Sequence, residues 1–369
     1  MRNKIEIVVF IVVIAFFGIG YIVYPQREFS EMENRYLATR PEFSWKDLLN
    51  GDYTEKFDSY TADQILGKDL LVETNVAANY AVGISRVNQV YIGKDQYLIQ
   101  DYQKPDDQLN ANLNYIRGFA AEHPEADMSL LIVPNVNEIY PEKLPQFAET
   151  YSQATVISQI QSTLEPDVTV IDASAILKEH KEEGIYYKTD HHWNSLGAYY
   201  GYTELCRKLG IETKGLDQYE PFTVEEPFFG SLYSKVPLFS QEPDEMTIYQ
   251  DPQGSYQVTY VSENRTTDTM IDMDYATRKD KYAMYFGGNY PLVHIESNSG
   301  NQQKVLVIKD SYANDLVPFL TADYSDIYMM DLRYYHEDVG KFMEQEGITQ
   351  VLFIHNVDFI STDNNFLWL

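Results

Sequence analysis

Two separate stretches of the chain contain residues that could together carry out nucleophilic chemistry. The stretch "TDHHWNSLGAYYGY" places Asp190 two residues before His192, and "KVLVIKDSYANDLVPFL" places Ser311 just after an apolar run. A serine hydroxyl becomes an effective nucleophile when an imidazole takes its proton and a carboxylate holds that imidazole in the correct tautomer. We therefore predict that Ser311 is the nucleophile, His192 the general base and Asp190 the group that orients the base.

The same Asp-His-His run could instead offer ligands to a metal ion. Adjacent histidines rarely bind one ion well, and no HExxH or CxxC motif accompanies them in the sequence. We therefore predict no metal site and no cofactor. His191 is expected to form a hydrogen bond within a loop, and Trp193 is expected to pack in the core.

The elements around these residues predict an α/β fold. The continuous apolar runs Leu130–Val133 and Val305–Ile308 are typical of buried parallel strands, and helical patterns alternate with them. Ser311 would then lie at the carboxyl end of a strand, where open α/β sheets bind ligands. A helix beginning at about Tyr312 would favour negative charge at its N-terminus. Asn194 is the expected N-cap of the helix after His192.

The N-terminal segment predicts where the protein resides. Ile5–Tyr24 is apolar except for Glu6, and twenty helical residues span about 30 Å, the thickness of the bilayer hydrocarbon. No small-residue cleavage pattern follows, and Arg2 and Lys4 precede the segment. We predict a retained signal anchor in the cell membrane, with the bulk of the chain extracytoplasmic. A cleaved signal peptide is the alternative.

We predict the following division of the chain from its changes in composition. The order is a signal-anchor transmembrane helix over 1–24, a polar juxtamembrane arm over 25–60, and a catalytic domain over 61–369 with a β-rich insertion at about 215–300.

Composition excludes some functions. The formal net charge is -28, from 56 acidic and 28 basic residues, so the chain lacks the basic surface that nucleic-acid binding requires. Cys206 is the single cysteine, so a disulfide within the chain is impossible. It lies in a predicted amphipathic helix and is expected to be a small core residue.

At the level of motifs, the sequence resembles the DHHW-type proteins of Gram-positive bacteria, which are similar to the alginate O-acetyltransferase family of SGNH-hydrolase-like enzymes. The resemblance rests on the two stretches quoted above and on "DLRYY", "VYIGKDQYLI", "VPNVNEIYPEKLP" and "FFGSLYSK". It implies an SGNH-hydrolase-like parallel sheet flanked by helices, with the Asp-x-His motif before the serine motif, a permuted order. Lys309 departs from the pattern, since Gly is frequent there.

The resemblance also suggests where an oxyanion would be stabilised. "FGGNY" supplies Gly287 and Asn289, which resemble the oxyanion block of SGNH enzymes, although a plain turn between strands would look the same. Asn135 and Asn137, after the strand Leu130–Val133, are rival donors. The backbone N–H of Ser311 is a further expected donor.

Together these features predict an O-acyltransferase that moves acetyl groups onto a cell-surface or secreted polysaccharide. The resemblance implies a membrane-bound acyltransferase as its partner. Two alternatives remain open: a carbohydrate acetylesterase with the same three residues, and a non-catalytic polysaccharide-binding or assembly component.

Overall fold

The computed structural model describes residues 2–369, apart from the side chains of residues 2, 3 and 22. The chain forms two compact units. Unit 1 contains the residues up to Asn88 together with Tyr233–Gln241, and unit 2 contains Gln89–Leu232 and Glu242–Leu369. The side chain of Arg2, which precedes the predicted signal anchor, lies outside the described part of the structure.

The helices are short apart from the first one and those that pack on the central sheet. They are α1 Arg2–Val23, α2 Trp45–Asn50, α3 Asp52–Asp63, α4 Lys68–Ala81, α5 Asp107–Glu122, α6 Val136–Ile139, α7 Gln153–Leu164, α8 Ser174–Glu179, α9 Ser195–Leu209, α10 Ser231–Lys235, α11 Val317–Leu320, α12 Val339–Glu346 and α13 Val357–Thr362.

The strands range from two to seven residues. They are β1 Phe29–Ser30, β2 Arg35–Tyr36, β3 Arg86–Val87, β4 Val90–Ile92, β5 Leu98–Gln100, β6 Asp127–Val133, β7 Thr169–Asp172, β8 Glu220–Thr223, β9 Thr247–Gln250, β10 Tyr256–Tyr260, β11 Arg265–Thr267, β12 Leu292–Ser297, β13 Lys304–Lys309, β14 Asp326–Met330 and β15 Gln350–Asn356.

In unit 1, α1 is the helix that could cross a membrane. Its stretch Lys4–Tyr21 has a mean hydropathy of 2.2, and none of that stretch is buried in the structure. The described part of the chain contains one helix that is long and apolar enough to span a bilayer. This finding agrees equally with a single-pass anchor and with a signal peptide.

A buried carboxylate organises the rest of unit 1. Asp63 accepts hydrogen bonds from Arg35 at 2.9 Å, from Lys68 at 2.9 Å and from the backbone N–H of Ala38 at 2.8 Å. The hydrogen bond from Arg35 is the main reason that the pKa of Asp63 lies well below its usual range, although burial opposes it. These bonds tie the β1–β2 hairpin to α3 and α4.

Unit 2 is built on an eight-stranded sheet with the order β11-β10-β12-β14-β13-β15-β6-β7. The five strands from β14 to β7 are parallel to one another. β12, β10 and β11 extend the sheet on one side as antiparallel strands. The predicted β-rich insertion therefore contributes three strands to the main sheet.

The central strands are apolar on both sides because helices cover both faces of the sheet. In β13, Val305 and Val307 face the layer that includes α9, whereas Leu306 and Ile308 face the layer that includes α5 and α7. β6 and β15 alternate in the same way. The continuous apolar runs of the sequence thus mark parallel strands buried on both faces, as expected.

β4 and β5 form an antiparallel hairpin. Of the local predictions, one is confirmed, because Asn194 caps α9 by accepting hydrogen bonds from two backbone N–H groups, and one is wrong. The α-helix expected to begin at about Tyr312 does not begin there. Instead, Ser311–Ala313 is a single 3-10 turn, and α11 begins at Val317. Pro318 has no N–H, so a continuous helix would lack a hydrogen bond there.

Candidate active site

Ser311 lies directly beyond the carboxyl end of β13, on a turn that its neighbour Asp310 shapes. Asp310 Oδ1 accepts a hydrogen bond from Tyr312 N at 2.8 Å, and Oδ2 accepts one from Asn356 N at 2.7 Å. Burial alone would raise the pKa of Asp310, but the nearby His355 and these two N–H groups lower it. The carboxylate therefore joins the ends of β13 and β15 and holds the turn that displays Ser311.

The loop before α9 carries Asp190 and His192, and Trp193 anchors it. A bridge between Tyr186 and Trp193 closes the loop. The fully buried indole of Trp193 donates hydrogen bonds to Tyr312 O at 3.1 Å and to Asp315 Oδ1 at 2.7 Å. Because both acceptors belong to the turn after β13, one tryptophan fixes the histidine loop against the serine turn.

Glycines in α9 allow this close packing. A Cβ at Gly201 would overlap the Trp193 ring, and one at Gly197 would overlap the backbone oxygen of Ile185. The small residues in "SLGAYYGY" therefore let the helix lie directly against the anchoring tryptophan.

The structure brings the three predicted catalytic side chains into one hydrogen-bonded line. His192 Nε2 lies 2.7 Å from Ser311 Oγ, and His192 Nδ1 lies 2.6 Å from Asp190 Oδ1. Asp190 and His192 are buried, whereas Ser311 is half-buried. The order of exposure leaves the hydroxyl as the member of the line that an external substrate can reach.

The charge on Asp190 determines the tautomer of His192. Burial would raise the pKa of Asp190, but His191, His192 and the N–H of Ser231 outweigh it and hold that pKa well below its usual range. An ionised carboxylate accepts only, so Nδ1 of His192 carries the hydrogen of the 2.6 Å bond. Nε2 is then the nitrogen that can accept the proton of Ser311.

Asp190 is held in turn by the segment around Gly230. Ser231 N donates to Asp190 Oδ2 at 2.6 Å, and His192 N donates to Oδ1 at 3.0 Å. A Cβ at Gly230 would overlap the Asp190 side chain, so only glycine fits. The motif "FFGSLYSK" contains both supporting residues, but its role in holding the carboxylate was missed from sequence.

His191 has a different role from its neighbour. Its Nδ1 lies 2.7 Å from Ser231 Oγ, so the ring forms a hydrogen bond from its loop to the first residue of α10. Ligand atoms of Asp190, His191 and His192 lie within 4.8 Å of one another, close enough for a metal ion. However, both ring nitrogens of His192 face Asp190 and Ser311, so the arrangement suits proton transfer better than metal ligation.

Tyr282 is a part of the site that sequence reasoning missed. Its ring stacks on His192 with centroids 3.8 Å apart and an interplanar angle of 6°. Its hydroxyl donates to the backbone oxygen of Ser311 at 2.9 Å. Tyr282 therefore restrains both the imidazole and the serine turn. Its place in "KYAMYFGGNY", next to the predicted oxyanion residues, was the available signal.

The two oxyanion candidates near the glycine turn have different surroundings. Asn289 Oδ1 accepts hydrogen bonds from Lys309 Nζ at 2.6 Å and from Asn314 Nδ2 at 3.2 Å. Lysine donates only, so its position fixes which end of the Asn289 amide is the oxygen and directs Nδ2 elsewhere. Gly287 lies beside Asp272, Tyr275 and Tyr290.

The other two oxyanion candidates, Asn135 and Asn137, follow strand β6. In the sheet, β15 separates β6 from β13, the strand that leads to Ser311. Gln153 holds both: its Oε1 accepts from Asn135 N at 2.8 Å, and its Nε2 donates to Asn137 Oδ1 at 2.5 Å. The Nδ2 group of Asn135 is buried and has no hydrogen-bond partner among the described residues. The structure brings neither asparagine into a hydrogen bond with Ser311, and within residues 2–369 the Ser311 N–H forms none either.

Lys309, which departs from the family pattern, is buried under the serine turn. Its Nζ lies 3.3 Å from Asp331 Oδ2 and also donates to Asn314 Oδ1 at 2.9 Å. Burial lowers the pKa of Lys309, and Asp331 opposes that shift. Asp331 also accepts from Arg333 at 2.6 Å. The "DLRYY" motif therefore supplies the counter-ion for the lysine, a pairing that the sequence analysis did not foresee.

The fold and site together define an α/β protein with a serine, histidine and aspartate aligned at the carboxyl end of a parallel sheet. The family model for DHHW proteins matches residues 125–330, more than half of the chain. The chain belongs to the DHHW family, and the SGNH-hydrolase-like fold implied by its motifs is confirmed.

Solved structures resemble the chain over most of its length. A DHHW family protein from Eubacterium siraeum is 28% identical with a TM-score of 0.66, covering 75% of this chain and 92% of that one. Bacillus cereus PatB1 is 23% identical with a TM-score of 0.64, covering 74% and 97%. The O-acetyltransferase domain of Pseudomonas putida AlgJ, 18% identical, has a TM-score of 0.48 and covers 74% and 93%. No curated protein sequence matches significantly.

Proposed function

We propose that this protein is an extracytoplasmic O-acyltransferase that transfers acetyl groups to a cell-surface or secreted polysaccharide through an acyl-enzyme on Ser311. The observation that carries the proposal is the hydrogen-bonded line from Ser311 through His192 to Asp190, with distances of 2.7 and 2.6 Å. These are the distances that a nucleophile, its general base and the orienting carboxylate require.

The first half-reaction forms the acyl-enzyme. Ser311 Oγ attacks the carbonyl carbon of an acyl donor while its proton moves to His192 Nε2. Asp190 stabilises the imidazolium that results. The tetrahedral intermediate then collapses, and the leaving group departs with the proton from His192.

The second half-reaction transfers the acetyl group. A sugar hydroxyl gives its proton to His192 Nε2 and attacks the ester carbon. The new ester forms, and Ser311 Oγ leaves and regains its proton from His192. The half-buried position of Ser311 allows two external substrates to reach it in turn.

Donors to the oxyanion are also part of the proposal. The Ser311 N–H and the Asn289 side chain are the better candidates, because the charge of Lys309 orients the Asn289 amide next to the serine turn. Losing one such donor lowers transition-state stabilisation by about 3 kcal/mol in other hydrolases. Asn137 ranks lower, because Gln153 binds its side-chain oxygen, and Gly287 ranks lower, because its surroundings are Asp272, Tyr275 and Tyr290. Asn135 is the remaining candidate, since its buried Nδ2 has no hydrogen-bond partner among the described residues.

We further propose that α1 anchors the protein in the cell membrane with the catalytic unit outside the cytoplasm. The supporting observation is the exposed, apolar stretch Lys4–Tyr21. The motif resemblance suggests that a membrane-bound acyltransferase supplies the acetyl unit.

The catalytic proposal is tested with the purified full chain in detergent. Ser311→Ala and His192→Ala should abolish hydrolysis of a chromogenic acetyl ester, and Ser311→Ala should abolish labelling by a fluorophosphonate probe. Ser158→Ala and His336→Ala, at exposed positions, are matched controls that should retain activity. Unchanged ester hydrolysis in both Ser311→Ala and His192→Ala would refute the mechanism.

Transfer is separated from hydrolysis by product analysis. With an acetyl donor and an oligosaccharide present, the proposal expects acetylated oligosaccharide that depends on Ser311. Free acetate as the sole product would instead assign the same three residues to an acetylesterase.

A further inference from the structure

Helix α2 in unit 1 presents an apolar face to the surroundings. None of its six residues is buried. Trp45, Leu48 and Leu49 are spaced i, i+3 and i+4, which places them on one side of the helix. Trp45 is 72% exposed and Leu49 is 86% exposed. On the surface of a soluble protein, large apolar side chains are normally scattered singly. A cluster of them indicates that the face contacts another surface.

This face is continuous with the end of α1 through a chain of aromatic rings. Each ring contacts the next with centroids between 5.1 and 6.1 Å apart, in the order Trp45, Phe43, Tyr53, Phe57, Tyr60 and Tyr21. Tyr21 ends the apolar stretch of α1, and its ring packs edge-on against Tyr60 of α3. The apolar surface of α2 therefore begins where the membrane-spanning stretch stops.

The position of Tyr21 suggests what covers the face. The stretch Lys4–Tyr21 has 18 residues and nearly fills the hydrocarbon thickness, so Tyr21 falls at the boundary between hydrocarbon and water. Tryptophan and tyrosine side chains concentrate at that boundary, because their rings are apolar and their polar atoms reach water. Short helices with one apolar face lie in the same layer.

We propose that Phe43, Trp45, Leu48 and Leu49 form a second membrane contact, inserted into the lipid interface on the side where the catalytic unit lies. The contact rests on the membrane insertion of α1 proposed above. Acidic residues Asp47, Asp52 and Glu55 flank the face, so insertion of apolar rings is the driving force and anionic headgroups are not required.

The contact would restrain unit 1 in a way that a single helix cannot. A lone transmembrane helix allows the domain that follows it to rotate and tilt about the linking segment. A second apolar contact, joined to the helix end by packed rings, keeps unit 1 against the bilayer surface.

The test uses the full chain in phosphatidylcholine nanodiscs and the fluorescence of Trp45, one of three tryptophans. Phosphatidylcholine brominated near the headgroup should quench emission in the wild-type chain. Trp45→Phe should remove most of that quenching, whereas Trp368→Phe should retain it. Both variants should hydrolyse the acetyl ester at the wild-type rate, which separates this test from that of the catalytic mechanism. Replacing half of the phosphatidylcholine with phosphatidylglycerol should leave the quenching unchanged.

Three outcomes would overturn the proposal. Quenching of Trp45 by aqueous iodide, without quenching by brominated lipid, would place the face in water while leaving the α1 anchor intact. Protection of Trp45 from both iodide and brominated lipid would show that another protein surface, such as a second copy of this chain, covers the face. Release of the chain from vesicles by alkaline carbonate would disprove the α1 anchor and this contact together.

Discussion

Units 1 and 2 differ in the exposure of their apolar side chains. Unit 2 encloses them: its central strands are buried on both faces of the sheet, and Leu306 is fully buried between neighbours. Unit 1 exposes them, from the length of α1 to the face of α2. This difference is what the two proposals require: a close-packed core around the proposed catalytic residues in unit 2, and an apolar surface available for the proposed membrane contact in unit 1.

The comparison also explains where the chemistry lies. A hydrogen-bonded line such as Ser311–His192–Asp190 functions only when each partner is held within a few tenths of an ångström. Trp193, Gly230 and Tyr282 provide that constraint through buried contacts in unit 2. The face of α2 has no buried residue, which agrees with the attachment role proposed for unit 1.

The largest effect is expected when the charge beside His192 is removed. Asp190→Asn should lower kcat for acetyl ester hydrolysis by about 10³–10⁴-fold, because the amide can present a donor to Nδ1 and favour the wrong tautomer. Circular dichroism should show both units still folded. Asp217→Asn, at an exposed position, is the control, and equal activity of the two variants would contradict the assigned role.

Breaking the buried ion pair beneath the serine turn should have the next largest effect. Lys309→Met leaves Asp331 without its lysine and should destabilise unit 2 by about 3–5 kcal/mol. Denaturant unfolding measures the loss, with the exposed Lys341→Met as the matched control. An unchanged unfolding midpoint would show that Arg333 alone is a sufficient counter-ion.

A pair of leucine substitutions tests the comparison between the units directly. Leu306→Ala should destabilise unit 2 by about 2–5 kcal/mol, because it leaves a cavity between packed layers. Leu49→Ala should change stability by no more than about 0.5 kcal/mol, because that side chain is 86% exposed. Similar losses for both would show that α2 packs against protein in solution.

The smallest expected effect concerns pH and the carboxylate of unit 1. Because folding lowers the pKa of Asp63, its contribution to stability is complete above the ordinary Asp pKa of about 4. That contribution is lost as pH falls through the lower, folded value. Asp63→Asn should destabilise unit 1 by about 1–3 kcal/mol at neutral pH and weaken its sensitivity to acid. Trp45 fluorescence followed during acid titration reports the change, and identical acid profiles would exclude Asp63 as the source.

Much of the local structure was predictable, because short-range chemistry determines it. The apolar runs became parallel strands, Asn194 capped α9, and the Asp-x-His spacing let one carboxylate reach both the backbone and the ring of His192. The turn after β13 was less predictable. "KDSYANDLVPFL" looks helical, but Pro318 and the i to i−3 bonds around Ala313 and Asn314 reduce it to one 3-10 turn and a short helix.

The central strands and the cap of α9 could be predicted from the amino-acid sequence, since they depend on residues a few positions apart. The fold is needed to place Ser311 beside a histidine 119 positions earlier. It is also needed to place Tyr282, Gly230 and the Lys309–Asp331 pair around these two side chains. The physical reason is that such contacts depend on the strand order of the sheet and the paths of its loops. Neither the strand order nor the loop paths can be predicted from residue spacing or from a hydrophobic period.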